Sequence, residues 1–72
     1  MAHQSALTGA SNRIISIKAV INLTGLSKST IYLYIKERKF PSPIKLGLRR
    51  VGWVEHEMLA WVQERIAESR VA

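Results

Sequence analysis

The run His56-Glu57-Met58-Leu59-Ala60 opens like the zinc-protease pattern H-E-x-x-H, but alanine stands where the second histidine ligand is required. Gly47 and Gly52 have the spacing of a phosphate-binding glycine loop, yet Trp53 and Val54 occupy the positions that need lysine and a hydroxyl residue. Glu55 and Glu57, two apart on a helix, point about 200° away from one another and cannot form a paired-carboxylate site. There is no aspartate, and His3 and His56 have no nearby nucleophile to activate. The absence of cysteine removes disulfides, thiolate metal sites and cysteine nucleophiles together. No catalytic residue, metal site or cofactor is expected.

The chemistry that the sequence does support is recognition of a polyanion. Eleven Lys plus Arg against five acidic residues give 11 − 5 = +6. The charge is concentrated. Residues 13–50 contain Arg13, Lys18, Lys28, Lys36, Arg38, Lys39, Lys45, Arg49 and Arg50 against Glu37 alone, or 9 − 1 = +8. Residues 51–72 contain Arg65 and Arg70 against Glu55, Glu57, Glu64 and Glu68, or 2 − 4 = −2. A local basic segment favours nucleic acid as partner, ahead of an anionic membrane surface or an acidic protein.

Within that segment residues 28–38 read as a helix. With about 100° per residue and Ile31 at zero, Tyr34 and Ile35 lie within roughly 60° of it and form a buried stripe. On the opposite side Ser29, Tyr32, Leu33 and Lys36 fill a contiguous arc of about 100°, with Lys28 at its edge. In a major groove, Lys36 finds base-edge acceptors, Ser29 and the Tyr32 hydroxyl find partners of either kind, and Leu33 suits a thymine methyl. Arg49 and Arg50 suit phosphate or a narrow minor groove. Lys45 and Arg38 suit the backbone on either side, as does Lys28 beside a helix N-terminus.

Five pieces of chain have to position these groups. Residues 1–12 are small, polar and aperiodic, and read as a disordered arm. A short extended piece at residues 13–15 precedes a helix that Ser16 caps and that runs through Thr24, with Ile17, Val20 and Ile21 facing one core. Gly25 ends it, Leu26 adds the apolar contact usual after such a stop, and Ser27 caps the second helix. Two helices joined by so short a turn have helix-turn-helix spacing. Phe40-Pro41-Ser42-Pro43 is expected to stop the second helix. Residues 44–46 and 51–53 read as a two-stranded hairpin whose tip, Gly47-Leu48-Arg49-Arg50, forms a wing. From Glu55 onward Met58, Trp61, Val62 and Ile66 recur at core-facing helical spacing, with Glu55 and Glu57 suiting one end of the helix dipole and Arg65 and Arg70 the other. Trp53, Trp61, Tyr34 and Phe40 are assigned to the core.

The fold class is therefore mainly α with a small β-hairpin, a winged helix-turn-helix over residues 13–70. A chain of 72 residues buries only roughly 60% of its unfolded surface, which leaves little room for an enclosed active site. The longest apolar run, residues 31–35, is far short of the about twenty that a membrane span needs. Together with the absence of cysteine, this points to a soluble protein of a reducing compartment such as the cytoplasm, with no membrane partner.

The order of motifs resembles the AlpA family of phage regulators. The resemblance runs through Ile17-Lys18-Ala19-Val20, Leu23-Thr24-Gly25-Leu26-Ser27-Lys28-Ser29-Thr30-Ile31-Tyr32, Phe40-Pro41-Ser42-Pro43-Ile44-Lys45-Leu46-Gly47 and Val51-Gly52-Trp53, and extends to Glu55, Glu57, Ala60 and Trp61. Members of that family are small winged-helix proteins, related to the DNA-binding domain of MerR regulators and to phage excisionases. The resemblance implies that residues 27–36, with Ser27, Lys28, Ser29, Thr30, Tyr32, Leu33 and Lys36, form the recognition helix and that residues 45–50 form the wing. Two departures stand out: Leu33 replaces a common arginine, and Leu48 and Arg50 replace small residues, making the tip bulkier and more basic.

The expected function is sequence-specific binding of double-stranded DNA by a prophage or genomic-island regulator. It would act as a transcriptional regulator or as an excisionase that assists a tyrosine integrase, as a monomer or a cooperative assembly on DNA. A protein-interaction module that uses the exposed Tyr32 and Leu33 is the alternative.

Overall fold

A computed structural model describes residues 13–70; the arm expected over residues 1–12 lies outside them. In chain order the elements are β1 (Ile14–Ile15), α1 (Ile17–Thr24), α2 (Lys28–Lys36), β2 (Ile44–Lys45), β3 (Val51–Val54) and α3 (Glu55–Ser69). The mainly α class with a small sheet holds.

Serines start the first two helices. Ser16 Oγ accepts the Ala19 amide at 3.2 Å and Ser27 Oγ accepts the Thr30 amide at 3.1 Å, each satisfying a donor that the first helical turn leaves without a partner. α1 ends where Gly25 takes φ 76°, with its N–H donating to the Ile21 carbonyl at 2.7 Å. That left-handed conformation suits glycine because it has no Cβ to clash.

The end of α2 corrects the sequence reading. The prolines do not stop it; the last helical residue is Lys36, well before Pro41. Arg38 adopts φ 62°, the Lys39 N–H reaches back to the Tyr34 carbonyl at 2.8 Å, and the Arg38 N–H donates to the Ile35 carbonyl at 3.0 Å. This pair of bonds is a Schellman closure built on a left-handed residue that is not glycine. It turns the chain sharply enough to drop Phe40 into the core, where it is buried.

The sheet is also larger than the expected two-stranded hairpin. β3 is its central strand, in the order β1-β3-β2, with Ile14 opposite Val54, Ile15 opposite Trp53, Ile44 opposite Gly52 and Lys45 opposite Val51, all antiparallel. The N-terminal extended piece thus becomes an edge strand. Gly52 is required where β3 passes its neighbours: a Cβ there would collide with Ile14 Cγ2 and lie 3.1 Å from Leu46 Cδ1 and 3.2 Å from the Ile15 carbonyl oxygen.

The core comprises Ile15, Val20, Ile31, Phe40, Trp53 and Met58, so every element but β2 contributes to it or adjoins a residue that does. Ile17, Ile21, Leu26, Tyr34, Ile35 and Trp61 pack around it, partly buried. Trp53 is fully buried and donates its indole N–H to the Pro41 carbonyl at 3.1 Å, which fixes the segment between α2 and the hairpin. Trp61 is only half-buried; its indole N–H donates to the Lys39 carbonyl at 2.9 Å and its ring packs on Phe40, centroids 4.7 Å apart.

α3 has no side-chain N-cap; instead the Glu55 N–H donates to the Arg13 carbonyl at 2.7 Å, and the two side chains form an ion pair at 3.8 Å. Only its first half lies over the core. Ile66, expected to be buried, is 39% exposed, because the helix outlasts the short sheet and α1 beneath it. Arg65, expected to serve the C-terminal dipole, turns back over the Trp61 ring at 5.1 Å from its centroid and pairs with Glu68 at 2.9 Å. Among the described residues no helix is long and apolar enough to cross a membrane.

Candidate nucleic-acid interface

α2 divides its residues as the helical wheel requires. Ile31 is fully buried, Tyr34 and Ile35 are partly buried, and Lys28, Ser29, Tyr32, Leu33 and Lys36 are exposed. Leu33 is 49% exposed, on a helix whose opposite side already has a complete apolar stripe.

Tyr32 differs from its expected purely outward role. It is 39% exposed, yet its ring meets the buried Trp53 edge to face, with centroids 6.4 Å apart. At 100° from Ile31 the side chain lies at the flank of the helix, where it can lean toward β3. Its ring is anchored, and its hydroxyl has no partner among the described residues. Tyr32 therefore ties the outward face of α2 to the strand that carries the wing.

Two of the expected site residues are committed locally. The Ser27 hydroxyl accepts the Thr30 amide and donates to Thr30 Oγ1 at 3.0 Å. They build the start of the helix, while Lys28 and Ser29 on the same turn stay exposed. At the other end Arg38 is exposed on its left-handed residue, directly after the last turn that presents Lys36.

The wing is a hairpin closed by the Leu46 N–H donating to the Arg50 carbonyl at 2.8 Å. Arg50 therefore belongs to the closing pair, and the apex proper is Gly47-Leu48-Arg49. Lys45, Arg49 and Arg50 are exposed. Ion pairs among the described residues involve Arg13, Lys39 and Arg65; none involves Lys28, Lys36, Arg38, Lys45, Arg49 or Arg50. Lys18 and Arg70 are likewise exposed and outside these pairs, so the basic groups that the sequence singled out are six of the eight in that state among the described residues. The described residues contain no cluster of side chains that could hold a metal ion.

The apex residue Leu48 is 95% exposed, as its expected place at the wing tip requires. One feature escaped the sequence. A shallow apolar groove, about 260 Å³, lies between the end of α1 and the outer half of α3, lined by Leu23, Leu26, Trp61, Val62, Arg65 and Ile66. It exists because α3 runs past its support, and the helical spacing alone reads Val62 and Ile66 as core.

Comparison with known proteins agrees with this architecture. Residues 13–66 match the family model described as prophage CP4-57 regulatory protein (AlpA). The chain is 42% identical over 55 residues to the "Uncharacterized protein ORF88" of Enterobacteria phage P4, an alignment that covers 76% of this chain and 62% of that protein. The chain thus spans less than two thirds of the phage protein's length. It is 36% identical over 59 residues to the "DNA-binding transcriptional activator AlpA" of Escherichia coli (strain K12), covering 74% of this chain and 84% of that protein. No solved structure matches. The family match spans all six elements up to the last turn of α3, and on that ground the chain belongs to the AlpA family of prophage regulatory proteins.

Proposed function

We propose that this chain binds double-stranded DNA, with α2 in the major groove and the β2–β3 tip on the minor groove or the backbone. It serves a prophage or genomic island as a transcriptional regulator, as an excisionase, or as both. The observation that carries this reading is the concentration on α2, its closing turn and the wing of six of the eight exposed cations that have no ion pair among the described residues, Lys28, Lys36, Arg38, Lys45, Arg49 and Arg50, with Lys18 and Arg70 the two elsewhere. The name of the Escherichia coli relative supports it.

The roles follow from the chemistry of each group. Ser29, the Tyr32 hydroxyl and Lys36 read base edges, and Leu33 meets a thymine methyl. Lys28, Arg38, Lys45, Arg49 and Arg50 hold phosphates and set the register without reading sequence. Ser27 and Thr30 fix the start of the helix. The protein performs no chemistry. As an excisionase it would organise DNA so that a separate tyrosine integrase acts; as a regulator it would recruit or block polymerase at a promoter.

A mobility shift tests the reading, using a duplex that the wild-type chain enriches from a random pool. Lys36→Ala and Arg49→Ala are expected to weaken binding, and about five phosphate contacts give a log–log salt slope of about −4 to −5. Unchanged affinity in both variants together with a flat salt response would overturn it and favour a protein-interaction module built on Tyr32 and Leu33. Excision of an attachment-site substrate by the integrase, with and without this chain, separates the excisionase role from the promoter role.

A further inference from the structure

The apex of the wing combines features that the DNA-binding reading leaves unused. Leu48 is 95% exposed, whereas the next most exposed large apolar side chains, Leu33 and Leu46, are each at 49%. Leu48 contributes nothing to the core, and the fold gives no reason for a leucine at the apex. It projects beyond the strand pair, at the point where Gly47-Leu48-Arg49 turns the chain, with Arg49 and Arg50 directly after it and Lys45 on the opposite strand. All three cations are exposed and have no ion pair among the described residues.

An apolar side chain at an apex flanked by cations suits one environment in particular. The minor groove is about 6 Å wide, too narrow for an element but wide enough for a single apex side chain. Its phosphate rims attract arginine, most strongly where the groove is narrow. Its interior offers apolar sugar walls and, where a base step opens, the faces of the bases themselves. Apolar side chains driven into that groove part neighbouring base pairs and kink the duplex. The other apolar side chains exposed on the hairpin, Ile44 at 38%, Leu46 at 49% and Val51 at 37%, lie on or beside the strands below the apex, and none approaches the exposure of Leu48.

We infer that the wing tip is a wedge: Arg49 and Arg50 seat it on the phosphates, and Leu48 enters the minor groove and opens one base step. The inference rests on the DNA-binding reading and adds an activity to it, local deformation of the duplex. It also assigns Leu48 a part in specificity. Pyrimidine–purine steps unstack most easily, so the protein selects such a step at a fixed offset from the bases that α2 reads, without a hydrogen bond to either base pair.

The experiment uses the full chain and a duplex of about 30 base pairs that the wild-type chain has enriched from a random pool. One copy carries donor and acceptor dyes at its ends, and a second series carries 2-aminopurine at successive positions under the wing. Wild type is expected to shorten the end-to-end distance and to raise fluorescence at one step. Leu48→Ala is expected to lose both signals and about tenfold in affinity on intact duplex, and to recover most of that affinity on a duplex nicked at that step, where opening costs little. Leu48→Met, still long and apolar, is expected to behave like wild type. Because Leu48 touches no core residue, the substitutions are not expected to alter the fold, and circular dichroism checks this. Wild-type binding with no fluorescence rise, or Leu48→Ala with unchanged bend and fluorescence, overturns the wedge while leaving DNA binding intact. Failure of wild type to enrich any duplex overturns the DNA-binding reading itself.

Discussion

α2 and the wing present similar charges from unlike foundations. α2 displays Ser29, Leu33 and Lys36 from a helix whose other side buries Ile31 completely. The wing displays Leu48, Arg49 and Arg50 from a two-residue strand, β2, neither of whose residues is buried. A side chain on the first is held in place by the core of the whole domain, and one on the second by a few ladder bonds to β3. Base edges demand fixed donors, whereas phosphates and groove walls tolerate adjustment. Support and task are matched: the rigid element is the one proposed to read sequence and the compliant one to fit shape. Tyr32 against Trp53 is the contact through which one constrains the other.

The contrast can be broken most forcefully from below. Ile31→Ala is expected to cost about 2–5 kcal/mol, since it empties a fully buried site beneath α2. That approaches the whole stability of a domain this small, so urea titration followed by circular dichroism should find it largely unfolded. Gly52→Ala strikes at the foundation of the wing and is expected to cost about 1–3 kcal/mol, because Ile14, Leu46 and the Ile15 carbonyl have to move. In the same titration it should leave the helical signal in place at low denaturant.

Two charge removals sharpen the division of labour. Lys36→Ala is expected to cost about 1–3 kcal/mol on the preferred duplex and less on a scrambled one, reducing selectivity. Arg49→Ala is expected to weaken both duplexes alike and to reduce the salt slope by about 0.9, as a phosphate contact would. If the two variants exchange these behaviours in a mobility shift, the assignments of reader and clamp are reversed. The smallest effect is expected at the junction. Arg38→Gly relieves a left-handed backbone and is expected to raise stability by about 0.5–1 kcal/mol while removing a cation, so melting temperature rises as DNA affinity falls. A variant that gained stability without losing affinity would show that the arginine serves no purpose beyond the turn.

Much of this was legible in the sequence because local rules govern it. Ser16, Ser27 and Gly25 bound the first two helices through bonds within four residues, and the spacing around Ile31 fixes which side of α2 faces out. What escaped depends on distant partners or on conformations that residue type does not announce. Nothing in Ile14-Ile15 says that it pairs with Val54 and Trp53. Arginine is an unusual choice for a left-handed closure, so the prolines looked like the stop. Tyr32 sits on the outward arc of the wheel, yet its reach to Trp53 depends on where β3 lies, which periodicity within α2 cannot encode. Exposure of Ile66 likewise follows from where its neighbours end.

The central place of β3 also sets an order of assembly. Pairing Lys45 with Val51 closes a separation of 51 − 45 = 6 residues, whereas pairing Ile14 with Val54 closes 54 − 14 = 40. Loop-closure entropy makes the second about 1.7 kcal/mol more costly to initiate. The edge strand that leaves the ribosome first is thus the one incorporated last, after the hairpin and both early helices have given it a surface to join. Its contacts act as a latch on the finished domain, and Ile14→Val is expected to accelerate unfolding while leaving the folding rate unchanged.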